Sequence, residues 1–140
     1  HFDSALDFGD LGLEESYSTL KAYGRSKLMN LLSARELQHR LVGENVAVSS
    51  FHPGTIRTPI WNKGGALARL LGLILYPFMK NVEQGSDTFI WLASAEDHAS
   101  KGAHGHYFYK RKRAKTAKFA TNEDAKRLWQ ISEELIAPYC

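Results

Sequence analysis

The chain is short of cysteine: Cys140, its last residue, is the only one in 140. That excludes an internal disulfide framework and any cysteine-based metal site, and it suits a reducing compartment. Long hydrophobic runs are missing too. The most apolar stretch, Ala66–Phe78, is interrupted only by Arg69 and falls short of the roughly 20 residues that a bilayer span requires. No segment has the layout of a secretion signal, and no repeat or low-complexity tract occurs. The six histidines show no metal-ligand spacing. His98, His104 and His106 read as polar groups of a Gly-rich loop, and no metal is expected.

What is present is ordinary globular material, 44% hydrophobic and 15.8 kDa, enough for one domain at most. The net charge of +3 is a local effect. The run Tyr109–Lys118 carries six positive charges, without which the remainder would be −3. No aromatic residues alternate with those charges as stacking platforms, so the run reads as a solvated loop and no nucleic-acid partner is expected.

Periodicity divides the chain simply. Turn formers dominate residues 1–15. A helix is expected from Ser18 to Leu41, stopped by Gly43. Val46–Phe51 has the length and β-branched content of a buried strand, and His52–Gly65 reads as loop. A further helix follows over Val82–Ala95, then a short aromatic strand near 105–109. Thr121-Asn122-Glu123-Asp124 opens the last helix as an approximate capping box, and Leu128, Trp129, Ile131, Leu135 and Ile136 give that helix an apolar face. Only two sheet strands are expected.

Tyr23 and Lys27 lie at i and i+4, on one face of the first helix. A tyrosine hydroxyl is a poor acid at neutral pH, and a fixed positive charge one turn away favours its phenolate. The pair is therefore a candidate proton donor and acceptor. Tyr17 and Lys21 repeat the spacing about 240° away around the helix. They belong to the polar lead-in Glu14–Thr19, whereas Tyr23 opens the apolar-periodic segment of Leu28, Leu31, Leu32, Leu37 and Leu41. The first copy reads as solvated surface.

The run Ala22-Tyr23-Gly24-Arg25-Ser26-Lys27-Leu28, the strand Val46–Phe51 and then His52-Pro53-Gly54-Thr55-Ile56-Arg57-Thr58 together resemble the short-chain dehydrogenase/reductase family. The longer match, over about residues 11–136, is most similar to its retinol dehydrogenase and WW-domain-containing oxidoreductase branch. The resemblance implies an α/β fold: the C-terminal part of a Rossmann-type doubly wound parallel sheet, ordered helix-strand-helix-helix-strand-helix. None of the 11 glycines forms the phosphate-binding turn of such a fold. Residues 1–140 are thus expected to be the catalytic half of a single domain whose nucleotide-binding half precedes residue 1, and to be inactive alone.

By the same resemblance, Tyr23 is the general acid/base and Lys27 its partner at the cofactor ribose. Pro53 and Gly54 would turn the backbone so that the main chain near Thr55 approaches the nicotinamide ring, and Thr58 would hydrogen-bond the cofactor amide or phosphate region. The cofactor would be NADP or NAD, with NADP the first choice. The family's serine and asparagine should lie upstream, and Ser4, Ser16 and Ser18 are not promoted in their place. The substrate would be a lipophilic alcohol or carbonyl of retinoid or steroid type. Three readings of Ala66–Phe78 stay open: an apolar lid over that substrate, ordinary core, or a peripheral membrane contact. A homodimer is also left open. The expected location is cytoplasmic, with membrane association through a preceding segment as an alternative. A second class of function, a non-catalytic interaction or binding module, competes with the enzyme.

Overall fold

The computed structural model describes residues 5–57, 76–94 and 104–140. Thr58, His98 and most of Ala66–Phe78 lie outside the described residues. The elements run α1 (Thr19–Arg40), β1 (Ser50–His52), a 3-10 turn (Tyr76–Phe78), α2 (Val82–Ser94), β2 (Tyr107–Tyr109), β3 (Lys112–Arg113), α3 (Asn122–Ile136) and a closing 3-10 turn (Ala137–Tyr139). This is an α/β arrangement in which β1 pairs with β2 in parallel, as a strand–crossover–strand unit requires.

Among the described residues the sheet has three strands rather than two, in the order β1-β2-β3. The third comes from the basic run. Lys110 and Arg111 adopt φ of 51° and 58°, the positive angles of a tight hairpin turn whose twist matches its flanking strands. β3 thereby returns antiparallel to β2, pairing Tyr109 with Lys112 and Phe108 with Arg113. Part of the expected solvated loop is an edge strand, and its charges suit an edge that must not recruit other chains.

β1 also starts later than the apolar pattern suggests. Val46 is 49% exposed, and the approach to the strand is fixed through other bonds. The Val48 N–H donates to the Gln38 side chain at 2.5 Å, and its carbonyl accepts from the Gly105 N–H at 2.8 Å. Ladder pairing begins at Ser50, because β2 itself begins only at Tyr107. The aromatic strand is correspondingly shorter than 105–109.

The helices follow the sequence closely. Thr121 caps α3, its hydroxyl accepting from the Asp124 N–H at 3.0 Å. α1 ends at Arg40, and Gly43 takes φ +98° three residues on. Helices α1 and α3 pack together over Leu28, Leu31, Leu32, Ala125 and Leu128, with Tyr107 from the sheet completing the cluster. Strand side chains alternate between faces. Accordingly Phe108 meets Trp91 of α2 edge-on at 5.8 Å, and Phe51, its partner in register, lies 5.8 Å from Phe89. The sheet is therefore covered on both faces, by α1 and α3 on one and α2 on the other. No helix among the described residues is long and apolar enough to cross a membrane.

Candidate functional site

Tyr23 and Lys27 do share one side of α1. The Lys27 ammonium stands 5.3 Å from the centroid of the Tyr23 ring, within cation–π range. Tyr23 is 58% exposed and Lys27 is exposed as well. Among the described residues, neither the phenol hydroxyl nor the ammonium has a hydrogen-bond partner. Arg25, between them, turns away to donate to the Asp10 carbonyl at 2.6 Å and ties the preceding loop to the helix. Tyr17 stands before α1 begins and is 72% exposed, a solvated lead-in.

The helix is oriented by its far end. Gln38, near its C-terminus, holds Val48 just ahead of β1, and its side chain lies against Gly105 just ahead of β2. The C-terminal turn of α1 is thus fixed at the amino ends of the strands. Tyr23 lies fifteen residues back, about 22 Å along the helix, away from that end. No hydrogen bond or ring contact joins Tyr23 or Lys27 to His52–Arg57 among the described residues. The two halves of the expected site are carried by one frame, and among the described residues no hydrogen bond or ring contact joins them.

At the carboxyl end of β1 the Pro-Gly turn is well defined. Gly54 has φ +91°, a conformation that L side chains rarely adopt. A Cβ there would stand 3.1 Å from Cδ and Cε of Lys80. Lys80 is a residue that the sequence reading passed over. Its N–H donates to the Thr55 carbonyl at 2.9 Å, and its carbonyl accepts from the Arg57 N–H at 3.0 Å, forming a parallel bridge opposite Ile56. Its ammonium donates to the Pro53 carbonyl at 3.4 Å and lies 5.4 Å from the Tyr109 ring centroid. Behind this segment Gly85 of α2 leaves room for Ile56, whose Cδ1 would be 2.2 Å from any Cβ at that position.

His52 closes the end of β1, stacked on Tyr109 at 5.5 Å. Desolvation of its ring, and then the Lys80 charge, hold its pKa below the usual imidazole value. Beyond the hairpin, Arg111 pairs with Asp87 of α2, its Nε 2.9 Å from Oδ2. This bond and the Arg111 charge hold the Asp87 carboxyl below the usual carboxylate range. A hollow of about 1110 Å³ lies at the opposite end of the strands, beside Gln38, Gly43, His104 and Gly105. It shares no residue with the candidate site. No group of three or more His, Cys, Asp or Glu among the described residues is placed to hold a metal ion.

Comparison with known proteins supplies the context for this arrangement. Retinol dehydrogenase 14 of Mus musculus is 39% identical over 135 residues, covering 94% of this chain and 40% of that protein. A WW domain-containing oxidoreductase of Gallus gallus is 35% identical over 133 residues, 94% of this chain and 32% of its own length. This chain belongs to the short-chain dehydrogenase/reductase family. A chloroplastic short-chain dehydrogenase of Brassica napus, TIC 32 B, is 34% identical over 138 residues, 96% of this chain and 42% of that protein. The chain therefore spans less than half the length of these family members. No family model matches the chain.

Proposed function

We propose that this chain is the catalytic half of an NAD(P)-dependent oxidoreductase acting on a lipophilic alcohol or carbonyl compound. The observation that carries the reading is the Tyr23–Lys27 pair, with the ammonium 5.3 Å from the phenol ring and no protein partner on either polar group among the described residues. The substrate class rests on relatives named as retinol dehydrogenases.

The donor set suits a nicotinamide cofactor. An ammonium offers three N–H donors, suited to paired ribose hydroxyls, and a phenol can both donate and accept. When bound, that cofactor supplies or receives the hydride. The Tyr23 hydroxyl gives its proton to the oxygen of a carbonyl being reduced, or takes one from an alcohol being oxidised. Lys27 would hold the ribose hydroxyls through its ammonium donors. Pro53 and Gly54 turn the main chain tightly, which would let the backbone near Thr55 approach the nicotinamide. Thr58, which lies outside the described residues, would hydrogen-bond the cofactor amide or phosphate region, as the family resemblance implies. NADP remains the first choice and NAD the alternative.

Tyr23→Phe in the full-length enzyme tests the reading. General acid–base groups contribute about 10²- to 10⁴-fold. Turnover with a retinoid substrate should fall by that order, while cofactor affinity, read from the fluorescence of the reduced nicotinamide, stays within about two-fold. Tyr17→Phe should leave both unchanged. Loss of turnover with Tyr17→Phe but not with Tyr23→Phe would overturn the assignment.

A further inference from the structure

Lys80 makes contacts to the Pro-Gly turn that its position in the sequence does not suggest. Its main chain brackets Ile56, bonding to Thr55 on one side and Arg57 on the other. Its aliphatic stem lies across the open face of Gly54, and its ammonium reaches back to the Pro53 carbonyl. A single residue thus pins Pro53, Gly54, Thr55 and Arg57. That segment leaves the carboxyl end of a parallel strand, where α/β folds bind their ligands.

We propose that Lys80 is a positioning residue for the nicotinamide end of the cofactor, fixing the Pro53–Thr55 main chain that faces the ring. This rests on the oxidoreductase reading above. The bond to Pro53 and the cation–π contact with Tyr109 at 5.4 Å both need the positive charge. The packing against Gly54 needs only the stem. A substitution that keeps the stem and removes the charge therefore separates a positioning role from simple packing.

The experiment is a fluorescence titration of the full-length enzyme with NADH and NADPH, alongside thermal unfolding without cofactor. Lys80→Met should weaken binding of the preferred cofactor about five-fold, the size of one lost hydrogen bond, with the melting temperature little changed. Lys80→Arg should restore it. Lys110→Met serves as the control, because Lys110 lies 5.3 Å from the same Tyr109 ring without touching the turn. Wild-type affinity in Lys80→Met, or an equal loss in Lys110→Met, would overturn the proposal. So would a loss matched by a lower melting temperature that arginine fails to restore. If the unaltered enzyme binds neither cofactor, the oxidoreductase reading fails, and the role of Lys80 with it.

Discussion

Gly54 is the most constrained residue of the candidate site. Its φ of +91° penalises any side chain by about 1–2 kcal/mol, and a Cβ would also press on the Lys80 stem at 3.1 Å. Gly54→Ala should lower the stability of the full-length protein by about 2 kcal/mol and weaken the proposed cofactor binding, measured by urea titration and by reduced-nicotinamide fluorescence. A variant as stable as the parent would show that the turn relaxes freely. At this scale the sequence was readable wherever a contact is local. Tyr23 and Lys27 meet because they are one helical turn apart, and Thr121 caps three residues ahead. Lys80 was not readable. Its partners lie more than twenty residues earlier, and only the return of the chain beside β1 brings them together.

Among the elements, helices were the easier part. Their apolar stripes span several turns, and α3 begins where Thr121 and Asp124 place it. Removing that cap by Thr121→Ala should cost about 1 kcal/mol, visible as a lower urea midpoint with an unchanged slope. Strands misled in both directions. Val46 and Val48 look like a buried strand, yet Val48 bonds to Gln38 and Gly105 instead of a ladder. Lys112 and Arg113 look like solvated loop, yet they pair with β2. A hairpin through Lys110 and Arg111 needs two residues with positive φ, and neither is a glycine or an asparagine that would announce it. The Arg111 pairing with Asp87 and its N–H bond to the Thr88 hydroxyl at 3.3 Å anchor the turn by tertiary contacts.

Over the molecule as a whole, two imidazoles make stability depend on pH. His52 is held below its ordinary pKa by desolvation and by Lys80. His106 is held below by desolvation, then by Arg113 and Arg35. With folded values beneath the unfolded ones, the unfolded chain takes up more protons as pH falls through the imidazole range. Stability contributed by these groups is therefore complete above about pH 6.5 and is lost as pH falls below it. The urea midpoint of the full-length protein should drop between about pH 7.5 and pH 5. The double variant His52→Gln/His106→Gln should flatten that drop; an unchanged slope would assign it to other groups. The family relationship was legible because two short motifs recur at the right separation. What lies against the exposed Ile90 and Leu135 was not, because an apolar side chain signals burial without naming its cover.

The bond from Gln38 to Val48 couples motions that would otherwise be independent. Through it the helix bearing Tyr23 and the strand ending at His52 are fastened at their common base, like two tines rising from one handle. A disturbance that tilts α1 would carry β1 with it, preserving the spacing between the Tyr23 hydroxyl and the Pro-Gly turn at the other tip.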